Sequence, residues 1–408
     1  MGLVLLAAML SAIMLLNGRP DGPPETAAPA GRLAIDPPPR AEPSARADSG
    51  WADRAFFAGP TDTTLLVDTG TDGIMAVHLD ARVAVNVTRH LQHSEPSPSD
   101  DQHLRLWRAD DTVIAASGRV LAVPIPTAEA RVLAVPGELG EATFAVPAAE
   151  PRHVWLIDDG HGRPGASATH RLVNLEGEVQ IEVPAPDMDG ARAIPRRGVR
   201  GGLAMETDDG VAIWDAASGE IVVRLGKGVG HVSDARGRTV VWCEGDCRRI
   251  NVTNLESGHR SFPGLRPGVV FDSRAARLSP DGGVLAAIAI DGGPGDESLG
   301  AIVVVEIGSG ELTVVTPWLQ PVPASLAWSS DGRQLFFAGP ATGAQRTDVG
   351  RYVPADGRVD LATLPVGGAH ALVPLTRDEA GAFAAQHPPV IDPAAPDRAA
   401  ADRPAADP

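Results

Sequence analysis

Between residues 277 and 360 one pattern is written twice, and it constrains the fold more than anything else in the chain. RLSPDGGVLAAIAI, starting at Arg277, and LAWSSDGRQLFFAG, starting at Leu326, follow the same order. An apolar strand ends at Ser279 or Ser329, a turn follows at Asp281-Gly282 or Asp331-Gly332, and a second apolar strand returns. A later hairpin closes each unit, at Ser309-Gly310-Glu311 and at Asp356-Gly357-Arg358. Each unit therefore holds four short strands, and Asp281 and Asp331 stand 50 residues apart. A period of that length marks stacked copies of one supersecondary unit.

Searching outward from this pair finds further polar turns between apolar strands. They centre on Ala81, Glu129, Gly177, Gly219 and Gly258, and with Gly310 and Gly357 make seven turns spaced 39 to 52 residues apart. Near-constant spacing of antiparallel units predicts an all-β fold, a single β-propeller of seven four-stranded blades. Six or eight blades remain open, because the first two units are degenerate. The first unit holds only three strands, near 64–67, 74–79 and 83–88, while 370–375 is left over as a lone strand. Donating that C-terminal strand to the first blade closes the ring and removes an exposed edge. Buried strands read as continuous apolar runs, as in 301–305, and no helix of useful length is expected within residues 51–375. The two clear units resemble the blades of WD40-like and TolB-like propellers. That resemblance covers residues 198–366 well and the earlier blades weakly, and it implies a fold rather than an activity.

The ends differ in composition. GLVLLAAMLSAIMLL, from Gly2 to Leu16, is uncharged and apolar, near the lower limit of a membrane-spanning helix and suited to a signal-peptide core. Asn17-Gly18-Arg19-Pro20 ends any helix there. The small residues of Ala28-Pro29-Ala30 lie far behind the apolar core and include a proline, which favours an uncleaved anchor over a cleaved signal or a buried helix. Arg19 and Arg32 follow the run and no basic residue precedes it, so the positive-inside rule taken literally places the bulk of the protein in the cytoplasm. An upstream start with a basic leader is the expectation that resolves this. The chain thus divides into a signal-anchor or signal peptide (1–17), a Pro/Ala-rich tether (18–50), the propeller (51–375) and a disordered Pro/Ala/Asp tail (376–408).

With 35 basic against 52 acidic residues the net charge is −17, and Lys227 is the only lysine. No basic stripe exists to neutralise phosphates, so nucleic acid and anionic lipid headgroups are poor partners. The acidic, Ala/Arg/Gly/Pro-rich usage resembles that of a high-GC bacterium such as an actinomycete. Cys243 and Cys247, the only cysteines, flank Glu244-Gly245-Asp246 between two apolar strands. A hairpin tip brings them within bridging reach, and in an exported protein a disulfide is expected rather than a metal site, which needs more soft ligands. So small a loop should tie down the tip more than the fold. The arrangement looks like one blade of actinomycete propellers of unassigned activity.

Other clusters have plainer explanations. His90, His93 and His103 with Asp100 and Asp101 have a zinc-like inventory, but their Ser/Pro-rich segment fixes no geometry and reads as a solvated loop. Asp291, Asp296 and Glu297 suggest calcium, yet the EF-hand spacing is missing and a hairpin explains the glycines. The sequons at Asn86 and Asn251 fall within predicted strands and read as chance. Trp107, Trp155, Trp214, Trp242, Trp318 and Trp328 read as packing between blades. WDAASGEIVVRL, from Trp214, resembles the repeat of quinoprotein propellers, but Ser218 and Arg224 replace that family's Thr and Trp and its adjacent cysteine pair is absent. A tight turn accounts for the Asp-Ser-Gly-Glu element. No nucleophile elbow, P-loop, dinucleotide fingerprint or HExxH motif is present.

These observations favour a monomeric, membrane-tethered propeller outside the cytoplasmic membrane. Its expected role is non-catalytic, binding an envelope protein or a small-molecule ligand, with no cofactor, metal or catalytic residue assigned. The alternative is a propeller enzyme (quinoprotein dehydrogenase, lactonase or glycan-active hydrolase) with its site in the axial pocket. A ring of Asp, Glu and His converging on the axis favours the enzyme, and a channel of small apolar residues with isolated charges favours the scaffold.

Overall fold

The computed structural model describes residues 57, 61–69, 74–80, 83–86, 106–117, 119–125, 131–134, 144–158, 168–186, 193–292, 298–341, 347–364, 366 and 369–386. Among them lie 29 strands and one helix, and the strands form seven antiparallel sheets. In chain order these are blade 1 (63–86 with Ala371–Thr376), blade 2 (106–134), blade 3 (144–184), blade 4 (193–225), blade 5 (230–263), blade 6 (269–314) and blade 7 (325–364). The turns read at Gly177, Gly219, Gly258, Gly310 and Gly357 fall between the third and fourth strands of a blade, and those at Ala81 and Glu129 lie outside the described residues.

Apolar burial shows that the sheets form a closed ring. The core is split into seven clusters, and each joins two neighbouring blades, from Leu66 and Leu106 at the seam of blades 1 and 2 round to Leu65 and Phe336 at the seam of blades 7 and 1. A four-stranded sheet with two apolar faces cannot stand alone, so every blade is stabilised by both neighbours. The C-terminal strand closes the circle as expected. It lies innermost in blade 1 and pairs antiparallel with Thr63–Asp68 over six residues, from Thr63 opposite Thr376 to Asp68 opposite Ala371.

The turns that follow inner strands in blades 6 and 7 are built alike. The Ser279 hydroxyl donates to Asp281 and Ser329 donates to Asp331, while the Val284 and Gln334 amides each donate to the serine Oγ at 2.9 Å. Gly282 and Gly332 supply the positive φ, +72° and +70°, which a side chain resists. The Ser279 hydroxyl and the Gly283 amide hold the Asp281 carboxyl below its ordinary value.

One boundary is corrected. Residues 377–386, read as the start of the disordered tail, form a helix, Arg377–Gln386. Thr376-Arg377-Asp378-Glu379 is a capping box, in which the Glu379 carboxylate reaches back to accept the Thr376 amide at 2.8 Å. Ala380 is buried in the cluster of blades 1 and 2, and Glu379 also pairs with Arg108 at 2.6 Å. The apolar run 2–16, the tether and residues 387–408 lie outside the described residues. Among the described residues no helix is long and apolar enough to cross a membrane.

Candidate functional site: the axial channel

Each blade runs outward from its innermost strand, so the inner strands converge on the axis. They crowd there. A Cβ on Gly198 would stand 2.6 Å from the main chain of Pro147 and Ala148, in the inner strand of blade 3 and just beyond it. Between the inner strands of all seven blades remains a cavity of about 830 Å³. Turns that follow inner strands, at Asp110, Arg152, Gly237, Pro280 and Ser330, ring one mouth.

The lining is cationic although the chain is acidic. Arg108 and Arg152 come from blades 2 and 3, Arg196 and Arg197 from blade 4, Arg236 from blade 5, and Arg274 and Arg277 from blade 6. Against them stand four acids, Asp110, Glu150, Asp234 and Asp272. Two irregularities create this concentration. The inner strand of blade 4, Ala193–Val199, slips register between Pro195 and Arg197, and that of blade 5, Gly230–Arg236, slips between Val232 and Asp234. Consecutive strand residues normally face opposite ways, and a bulge re-aims one of them, so Arg196 and Arg197 both reach the cavity. The inner edge of blade 6 is broken into Val269–Phe271 and Arg277–Leu278, and the interruption carries Asp272 and Arg274 to the lining.

The arginines are compensated unequally. Arg196 donates through Nε and Nη2 to one Glu206 oxygen at 2.8 and 2.7 Å, and the other Glu206 oxygen accepts the Val232 amide at 3.0 Å. Arg197 donates to the Arg196 and Ser233 carbonyls, both at 2.8 Å, with Asp234 3.5 Å from its Nε. Burial first, then the Arg277 charge, brings the Arg197 pKa down to about 10 despite Asp234. The Nη1 of Arg277 donates to three carbonyls, those of Ser233, Arg274 and Ala276, at 3.2, 2.8 and 2.8 Å. Burial lowers its pKa as well, against the pull of Asp234 and Asp272. Across the channel Arg108 is held by Glu379, and Arg152 by Asp111 and Glu176.

The acids of the lining have structural work. The Leu278 amide donates to Asp234, the Arg274 and Ala275 amides donate to Asp272, and the Gly201 amide donates to Glu150. Asp110 sits in an exposed turn with φ +56°. The channel thus matches neither sequence expectation: it is neither a ring of carboxylates and histidines nor a small apolar bore.

Of the residues singled out in the sequence, Cys243 and Cys247 are joined by a disulfide. Both sulfurs are buried in the seam of blades 5 and 6 beside Phe271, so the bridge belongs to an inter-blade core as well as to a hairpin tip. Replacing the pair, Cys243→Ala/Cys247→Ala, is expected to cost about 2 kcal/mol, the low end of the range for disulfides because the loop is short. Urea unfolding checks this, and an unmoved midpoint would show that the bridge adds nothing to the seam.

His90, His93, His103, Asp100, Asp101, Asp296 and Glu297 lie outside the described residues, and Asp291 pairs with Arg266. Among the described residues no three His, Cys, Asp or Glu side chains gather as a metal site would require. Asp215 accepts the Ser218 amide at 2.8 Å and its hydroxyl at 2.9 Å, the turn that explains the quinoprotein-like stretch. Trp155 and Trp214 pack edge to face across the seam of blades 3 and 4, with centroids 5.9 Å apart. Trp328 packs against the seam of blades 6 and 7 as expected, and it also lines the channel and donates to the Arg277 carbonyl at 3.1 Å. The sequence reading passed over IPRRGVR, where two adjacent arginines inside a strand were the available signal of a bulge turned toward the axis.

No family model matches the chain, and no curated protein matches it in sequence. Solved structures do. A protein from Lactobacillus plantarum is 14% identical, with 77% of this chain and 99% of that one covered and a TM-score of 0.50. An oligogalacturonate lyase from Vibrio parahaemolyticus is 12% identical, covering 76% and 86%, with a TM-score of 0.46. TolB from Acinetobacter baumannii is 13% identical, covering 64% of this chain and 62% of its own, with a TM-score of 0.39. At such identities the likeness is one of fold alone, and the propeller itself is established by the seven blades described above.

Proposed function

We propose that this propeller is a non-catalytic binding module, tethered to the outer side of the cytoplasmic membrane, that seats its ligand or the tip of a partner in the axial channel. The observation that carries the reading is the lining itself. Arginines outnumber carboxylates there, and Asp234, Asp272 and Glu150 each spend an oxygen on a main-chain amide. Arginine binds and orients anions but stays protonated, so it is a poor general base. The export half of the proposal is supported by the Cys243–Cys247 bridge, since disulfides persist in oxidising compartments, and by the apolar run 2–16 with its Pro-rich tether.

Spheroplast proteolysis with membrane fractionation tests it. The propeller is expected in the membrane pellet, cleaved by protease added from outside and with both cysteines blocked to alkylation. A soluble, protected chain with free thiols would sink the proposal. An enzyme acting in the same channel is the second reading, favoured by one observation: a Glu150 oxygen is buried against the cavity without a hydrogen-bond partner.

A further inference from the structure

Arg236, Arg274 and Arg277 all line the channel, and within the described residues no carboxylate lies within ion-pair distance of any of them. Arg236 donates Nη1 to the Pro280 carbonyl at 2.9 Å, and the Arg274 side chain is exposed with no partner. Arg277 makes all three of its side-chain bonds through Nη1, so Nε and Nη2 keep their donors. Carbonyls orient a guanidinium, but they do not neutralise it. A desolvated cation normally has an ionic partner in contact, and among the described residues Arg277 has none at ion-pair distance, Asp234 and Asp272 acting on it only from farther away.

We propose that the Arg236, Arg274 and Arg277 face of the channel is the binding site for a small organic oxyanion, a carboxylate or a phosphate ester. The fork of an arginine matches either group with paired N–H donors. The cavity of about 830 Å³ lies in the range of small-molecule sites and bounds the ligand's size. The half-buried Trp328 beside Arg277 adds an apolar wall, which suits an anion with an organic body better than a bare inorganic ion. The chain's net charge of −17 repels large polyanions, while the cationic cleft draws in small ones. Arg197, which shares the Ser233 carbonyl with Arg277, adds its charge from behind.

This assignment rests on the channel being the ligand site. The test is thermal unfolding of the full chain with inorganic phosphate, glucose 6-phosphate, glucuronate or uncharged glucose at one ionic strength, because free charges are screened by salt. At least one charged sugar is expected to raise the midpoint saturably while glucose leaves it unchanged. A response to glucuronate assigns a carboxylate, and a response to glucose 6-phosphate assigns a phosphate ester. Arg277→Met is expected to weaken binding at least tenfold, the size of a lost hydrogen bond between charged groups. Arg274→Met should weaken it as well and leave the unliganded midpoint in place, because that side chain bonds to nothing, so the test survives if Arg277→Met folds poorly. No saturable response to any charged probe, or equal affinity in both variants, would overturn the site. If the charged probes fail while the spheroplast result holds, the anion site alone falls. If an anion binds through these arginines and is also turned over, the site stands and the non-catalytic reading falls.

Discussion

A chain ending at Ala369, which lacks the closing strand Ala371–Thr376, is expected to lose cooperative unfolding and to collect in the insoluble fraction. That strand buries Leu372, Val373 and Leu375 in the clusters on both sides of blade 1. At about 1.5 to 3 kcal/mol for each buried side chain, the loss is on the order of the 5 to 15 kcal/mol that stabilises a typical domain. Removal also bares the backbone of Thr63–Asp68, a fully buried strand that would become a template for aggregation. A chain ending at Gln386 keeps the strand and the capped helix, and should melt as the full chain does. Calorimetry of the two truncations decides the matter: a chain ending at Ala369 that melts cooperatively within a few degrees of the full chain would show that the ring does not depend on its closing strand.

Asp360→Ala should be the most damaging single substitution at the seam of blades 7 and 1, costing about 3 to 5 kcal/mol. Arg351 and Asp360 face each other across neighbouring strands and meet at 2.6 Å, with side chains only 2% and 7% exposed. The Arg351 guanidinium also lies 5.2 Å from the ring centre of Phe57, which anchors the chain entering blade 1. Removing the carboxylate takes from the buried Arg351 its contact at 2.6 Å and from the half-exposed Arg358 its contact at 3.2 Å, whereas removing both buried charges leaves no buried cation to compensate. The double change Arg351→Met/Asp360→Leu should therefore recover most of the loss in urea unfolding, and a double variant as unstable as Asp360→Ala would refute the explanation.

The two pairings, Arg351 with Asp360 and Arg277 with carbonyls alone, show where sequence reasoning stops. Both arginines stand in strand-forming segments with apolar neighbours. One finds its carboxylate in the adjacent strand of the same hairpin, which the turn at Gly357 places opposite it. The surroundings of the other come from blade 5 as well as from its own loop, and Ser233 lies 44 residues away. The capped helix was legible in Thr376-x-x-Glu379 yet was masked by the Pro/Ala/Asp composition of the residues that follow it.

What the sequence determined by itself was everything set by local spacing: the seven hairpins, the tight turns at Asp281 and Asp331, the hairpin that brings Cys243 and Cys247 together, and the spare C-terminal strand whose exposed edge demanded a partner. Turn chemistry and strand alternation act over a few residues, so they survive in a linear reading. Only the tertiary structure decided the character of the channel, because its charge is assembled from the inner strands of blades that lie far apart in the chain. Closure of the ring and two bulges turn arginines toward a common axis, and the balance of charge there depends on distances that no single segment contains.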